Sequence, residues 1–285
     1  MARNCAGCSR SLPRASYSVD QWSTGQGRSR CGACVNRFGA CAPGASQSEV
    51  GRYNNSSDGS LDSGELENPF ASGTNRWVAK GSYTTGARLG EACVVKWFKT
   101  TGAEFEADYF AFDTQAVDKA MEIVGRFNEL GVMDKPVKIN IPAAWDFNDV
   151  GGADWAGRRA LCEPYIHNYE KFNSNTGWRN NFWGDGTKTC PLVMQALSHF
   201  SYHVTEGAYL LCDLQGGIYV NEVVLSNPVI LSQTREYGVT DLGPGGISTF
   251  FHQHTCSMFC RSDWTKPAKQ ELHFTPVSHT TMMSL

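Results

Sequence analysis

No stretch of the chain approaches the ~18 consecutive apolar residues needed to cross a bilayer, and the opening Met1-Ala2-Arg3-Asn4-Cys5 carries no apolar leader. No membrane is therefore expected as a partner, and the expected location is cytoplasmic or nuclear. An excess of charge of one sign is also missing. A net −3 over 285 residues does not make nucleic acid or an anionic surface the default partner of the whole chain. Apolar and aromatic residues are present in ordinary amounts, 41% and 12%, enough for a genuine core. The length allows one large domain, or a medium one with an appendage.

Cysteine is plentiful, with eleven in the chain. In the location expected here, metal ligation outranks disulfides. Cys5-x-x-Cys8 and Cys31-x-x-Cys34 form two knuckles separated by 22 residues, a four-cysteine zinc pattern. The competing readings are a small disulfide-linked module or incidental cysteines. So short a segment builds little core, and bound Zn2+ would supply most of its folding free energy. It resembles the small Stc1-type zinc module and is assigned residues 1–40. Six arginines against Asp20 alone make residues 1–37 basic. That charge suits nucleic acid or an acidic protein, or is a solvated face with no partner. Residues 41–74, rich in Ser, Gly, Asn, Asp and Glu, bury too little to offset their ordering entropy and read as a flexible linker.

Trp77 to Phe98 reads as two strands around a turn bracketed by Gly81 and Gly86, with Lys96 on the second. Phe105, Tyr109, Phe112, Ala116, Ala120, Val124 and Phe127 recur at spacings of three and four, one stripe of a long helix ended by Gly131. Val137–Trp145 and Arg159–Ile166 read as strands. Leu192 to Val204 reads as a second helix, carrying His199. Tyr209–Cys212 is a strand that delivers Asp213 and Gln215 to its end, and Gln215 to Glu222 reads as a hairpin. His199, His254, Cys256 and Cys260 offer two imidazoles and two thiolates, a closed tetrahedral set for structural zinc. Cys256 and Cys260 are expected one turn apart on the helix opened by Leu242-Gly243-Pro244-Gly245-Gly246-Ile247, both on one side.

The pieces Ser198-His199-Phe200, Asp213-Leu214-Gln215-Gly216, Leu225-Ser226-Asn227-Pro228, Leu242-Gly243-Pro244-Gly245-Gly246-Ile247 and His254-x-Cys256-x-x-x-Cys260 resemble, in order, the motifs of the alpha-kinases. These atypical protein kinases include the myosin heavy chain kinases and the elongation-factor kinase. The resemblance covers roughly residues 75–265 and leaves 266–285 as a tail. It implies an α+β fold, a two-lobed kinase-like catalytic domain with a structural zinc site in the C-terminal lobe. It also implies transfer of the γ-phosphate of ATP, with Mg2+, to serine or threonine hydroxyls of a protein substrate.

In that frame Lys96 binds the nucleotide, Asp113 is its acidic partner, and Gly81 and Gly86 flank a phosphate-approaching turn. Backbone groups near Glu163 and Tyr165 meet the adenine, and the glycine-rich 242–247 loop lies near the cleft. Asp213 is the catalytic aspartate, and Gln215 and Asn227 hold Mg2+. The conventional His-Arg-Asp and Asp-Phe-Gly motifs are absent, which excludes an ordinary protein kinase. Asn227 stands where the family carries aspartate. An amide oxygen still ligates Mg2+ but brings no charge, so weaker metal binding is expected. The alternative is a catalytically weak pseudokinase acting as a nucleotide-binding interaction module. A third reading makes the N-terminal zinc module the working part.

Overall fold

A computed structural model of the chain describes residues 2–5, 10–17, 22, 25–26, 57–62, 64–73, 76–99, 103–147, 155, 158–180 and 190–283, with side chains at 103–109 left aside. Two compact units divide it, residues 1–51 and 52–285. In the first, β1 (Ala2–Asn4) pairs antiparallel with β2 (Ser11–Pro13). Cys5 is buried against Tyr17, with Leu12 and Trp22 beside it. Cys8, Cys31 and Cys34 lie outside the described residues. Two of the arginines are engaged within the unit: the guanidinium of Arg3 stacks 3.9 Å from the Trp22 ring centroid, and that of Arg14 lies 5.1 Å from it.

The second unit opens with a sheet built from β3 (Gly59–Leu61), β4 (Ala71–Ser72), β5 (Arg76–Tyr83), β6 (Ala92–Phe98), β8 (Ala143–Asp146) and β9 (Arg159–Pro164), with β7 (Val137–Ile139) placed elsewhere. β3 and β4 fall inside the stretch expected to be linker. Both pair antiparallel with β5, and Leu61 of β3 packs against the cluster that holds Ala79 and Tyr83 of β5, so backbone pairing and one apolar anchor order a stretch of polar composition. Alternation along β6 puts Cys93, Val95 and Trp97 on a face packed with Ala79, Tyr83, Ala160 and Cys162. Val94, Lys96 and Phe98 face the other way, where Phe98 stacks on Phe110 of α1 (Ala103–Glu129).

Of the expected stripe, α1 buries Ala116, Ala120, Val124 and Phe127 in the core shared with α2 (Cys190–Val204), while Phe112 is exposed and Phe105 and Tyr109 are among the side chains left aside. It ends where Gly131 takes φ +62°, a left-handed conformation suited to glycine. Below it, β10 (Glu170–Lys171), β12 (Gln215–Ile218) and β13 (Val223–Leu225) are antiparallel neighbours in turn, and β7 joins β13 in parallel. The 215–222 hairpin is pinned at its tip, where Tyr219 N donates to Glu222 O (2.8 Å) and Lys135 Nζ to Tyr219 O (2.9 Å). At Gly216 a Cβ would come within 1.9 Å of Val224 O, so only glycine lets β12 and β13 close. A separate ribbon joins β11 (Tyr209–Cys212) to β14 (Val229–Ser232).

α3 (Gly243–Gln253) begins where Gly243 N donates to Asp241 Oδ1 (2.9 Å). Buried Asp241 also accepts from Ser232 N and Oγ and from Tyr237 N. The glycines of 243–246 pack inward, Gly246 against Leu231 and Leu242 and Gly245 against Phe274. None of residues 242–247 lines the cleft that Lys96 and Asp213 share; Leu242, Gly243, Gly246 and Ile247 are buried and Pro244 is exposed.

Candidate active site and metal cluster

Strand pairing assembles the site. Cys212 faces Val229 across the β11–β14 ribbon, so Asp213 and Asn227 emerge at one end of it. Lys171 faces Gln215 across β10–β12, and Ser226 N donates to Gln215 O (3.0 Å). Four side chains from distant positions thus converge. Both Asp213 (φ +57°) and Asn227 (φ +49°) adopt the left-handed conformation that Asp and Asn tolerate best.

Asp213 is 1% exposed. Lys171 Nζ lies 2.8 Å from its Oδ1, while Gln215 Nε2 (2.9 Å) and Thr281 Oγ1 (2.8 Å) donate to Oδ2. Burial pushes the carboxyl pKa up, and the Lys171 charge pulls it back. Across the cleft, Lys96 Nζ sits 2.9 Å from Glu163 Oε1 and donates to Asn227 Oδ1 at 2.9 Å. Glu163 Oε2 is buried with no hydrogen-bond partner among the described residues. Both groups line one cleft of about 410 Å3, with Val78, Val94, Tyr165 and Ile166 among its other walls. Its size, apolar wall and orphaned carboxylate oxygen suit a nucleotide. The neutral carbonyls of Gln215 and Asn227 beside one carboxylate suit a divalent cation, with less charge than a two-carboxylate site would carry.

Several expectations need correction. The acid that meets Lys96 is Glu163, not Asp113, which pairs instead with Arg76 on β5. Register explains this: Val94 faces Glu163 across β6–β9, so Lys96, two residues on, is its diagonal neighbour on the same sheet face. Glu163 and Tyr165 both line the cleft; the Glu163 side chain meets Lys96, and the Tyr165 N–H donates to Ala92 O (3.0 Å). Gly81 and Gly86 do not line the cleft. A Cβ at Gly81 would meet Ser60 O at 2.4 Å, so this glycine admits β3, while Gly86 (φ +78°) opens a 3-10 turn. Lys171, Asn175 and Thr281 were missed. The first two lie in the stretch Lys171-Phe172-Asn173-Ser174-Asn175, which carries no local pattern that names a catalytic role.

The metal quartet does come together: one ligand atom each from His199, His254, Cys256 and Cys260 lies within 4.8 Å of the others. Cys256 Sγ is 3.7 Å from His199 Nδ1 and Cys260 Sγ is 3.7 Å from His254 Nε2. Ligands on a tetrahedral zinc lie about 3.6 Å apart, so the donor set and spacing fit that ion. His199 Nε2 is 3.1 Å from Thr265 O, the carbonyl partner a ligating imidazole needs. Burial lowers the His199 pKa to about 4 and that of His254 to about 3, keeping both rings neutral. The cysteines are not on the helix as expected. α3 stops at Gln253 and His254 is extended. Residues two apart on a helix point to opposite sides, so His254 and Cys256 share an ion only if the helix ends between them.

A strand-rich lobe and a helical lobe with a lysine–glutamate pair facing a buried aspartate define a two-lobed, kinase-like α+β domain. The alpha-kinase family model matches residues 71–260, and the chain belongs to that family of protein kinases. Alpha-protein kinase 1 of Dictyostelium discoideum is 29% identical over 210 residues, 71% of this chain and 14% of that protein. Human eukaryotic elongation factor 2 kinase is 32% identical over 102 residues, 35% of this chain and 13% of its own. The chain thus spans a small part of these relatives. An alpha kinase of Entamoeba histolytica shares the fold at a TM-score of 0.58 and 21% identity, over 76% of this chain and 82% of that one. The alpha-kinase domain of myosin heavy chain kinase A, solved with AMP, does so at 0.58 and 18%, over 72% and 89%.

Proposed function

We propose that the chain is an ATP- and magnesium-dependent serine/threonine protein kinase. The carrying observation is the Lys96–Glu163 pair facing Asp213 and Lys171 across one cleft. Solved alpha-kinase domains of myosin heavy chain kinase A hold AMP, ADP or ATP, which supports the nucleotide. Lys96 Nζ binds phosphate oxygens, and Glu163 holds that ammonium in place. Asp213 Oδ2 accepts the proton of the attacking hydroxyl, and Lys171 favours its anionic form against the burial that raises its pKa. Gln215 orients Asp213 through its amide and, with Asn227, would hold Mg2+. The ion supplies neutralisation of phosphate charge when bound.

His199, His254, Cys256 and Cys260 are proposed as a structural Zn2+ site, and the N-terminal cysteines as a second, with nucleic acid or an acidic protein as that module's partner. Among the described residues no helix is long and apolar enough to cross a membrane.

The pseudokinase reading keeps one specific support: Asn227 Oδ1 accepts from Lys96 in this structure and adds no charge to the metal site. Labelled ATP, a basic protein substrate and a magnesium titration test both readings, beside Asp213→Ala. Transfer lost in that variant supports the kinase. Nucleotide binding without transfer at any magnesium level supports the pseudokinase.

A further inference from the structure

The face of the sheet turned away from Lys96 carries another pocket. Lys96 and Trp97 are successive residues of β6, so the Trp97 ring lies on the opposite side from the Lys96 ammonium. Trp77 is the direct partner of Trp97 across β5–β6 and shares its side. Trp155 completes the wall, its ring 5.5 Å from that of Trp97 and 5.2 Å from that of Phe147. The three indoles line a cavity of about 310 Å3. Trp97 is its buried floor, while Trp77 is 37% exposed. Two cations stand on these walls. Lys99 Nζ lies 4.7 Å from the Trp77 ring centroid, and the Arg158 guanidinium lies 4.6 Å from that of Trp155. Neither has an anionic partner among the described residues.

We propose that this pocket docks an acidic-aromatic segment of a protein substrate, one aromatic ring entering among the indoles while flanking carboxylates pair with Lys99 and Arg158. That the partner is a substrate rests on the kinase reading above; the pocket itself does not. An apolar ring gains by leaving water and by edge-to-face contact with the indoles. A purely apolar ligand leaves the two cations without counter-charge, whereas carboxylates beside the ring neutralise them. The indole faces already hold both charged heads beside the cavity, so little side-chain ordering opposes binding. A cationic ligand is disfavoured, because the chain's own cations occupy the faces of Trp77 and Trp155 and repel it. A nucleic acid strand asks for a run of cations along its phosphates, and exposed Glu67 stands at this pocket instead. Since the pocket and Lys96 lie on opposite faces of the sheet, docking leaves the cleft free and raises the local concentration of the acceptor hydroxyl.

The test titrates the full chain with a synthetic peptide carrying one phenylalanine flanked by glutamates, and reads binding by anisotropy of a dye on the peptide. Saturable binding is expected. The double reversal Lys99→Glu with Arg158→Glu weakens it by about tenfold or more, as does alanine in place of the peptide's phenylalanine. Trp77→Ala, at a partly exposed position, weakens it likewise. In transfer assays, fusing the peptide to a basic acceptor is expected to lower the acceptor's KM by about tenfold with kcat unchanged. The charge reversal cancels that gain and leaves the unfused acceptor's kinetics as they were. Absent binding, or binding that the reversal does not change, overturns the docking site and leaves the kinase reading standing, since the unfused acceptor reports on that alone. Tighter binding of a single-stranded oligonucleotide than of the peptide overturns it in favour of nucleic acid. Peptide binding lost on reversal, with no transfer to any acceptor, upholds the pocket and overturns the kinase reading.

Discussion

Asn227 shows how one atom's change separates conformation from charge. At φ +49° it holds a backbone that aspartate would hold as readily, so the amide costs no strain and removes only a negative charge beside the cation site. Asn227→Asp is expected to lower the magnesium concentration for half-maximal activity by about tenfold, the scale of one added charge near a partly exposed cation. A titration showing no change would sink this account of the site. Asp213 makes a prediction of the opposite kind. Burial raises its pKa, so in the folded protein it favours the protonated form relative to the unfolded chain. Its contribution to stability is fully present below the unfolded value and is lost as pH rises through the folded one. In the proposed mechanism activity needs the anion, so the acid limb of kcat/KM is expected above the ordinary carboxylate range. Lys171→Met moves that limb further up, since Lys171 is what pulls the pKa down. A pH–rate profile unmoved by the change would show that Asp213 is not the proton acceptor.

At the scale of elements, sheet register decides which acid serves Lys96. Glu163→Gln is expected to raise the KM for ATP by about tenfold or more, because the buried ammonium loses its charged partner. Asp113→Asn, which touches Arg76 instead, should change it by less than about twofold and act through stability. Equal effects on KM would contradict the pairing. The periodicity of α1 was legible because a helix buries one stripe, and so was α2. The Lys96–Glu163 pair was not legible, since 67 residues of chain separate its members and no local pattern records which strands become neighbours. The end of α3 was misread for a related reason. Cys256 and Cys260 suit one helical face, and only the addition of His254 to the same ion forbids it.

For the molecule as a whole, the His–Cys cluster ties α2 to the segment following α3. Cys260→Ser is expected to remove one zinc per chain, measured by elemental analysis, and to lower the Tm by several degrees. Unchanged zinc content would show that these four side chains hold none. Phe127→Ala, in the core shared by α1 and α2, should cost about 3–5 kcal/mol by denaturant unfolding.

The sequence by itself determined the two long helices, the metal-ligand quartet and the Asp213–Gln215 strand end. The helices and the strand end are matters of residue type at short spacing, where backbone geometry dictates which side chains share a face, whereas the quartet, with His199 55 positions before His254, was legible through donor type and the family resemblance. Tertiary structure alone decided that Glu163 meets Lys96, that residues 59–61 and 71–72 are strands, and that Thr281 reaches Asp213 across 68 positions. Those contacts come from strand register and from the return path of the chain. Their free energy is gained between segments that carry no mark of each other until they pack.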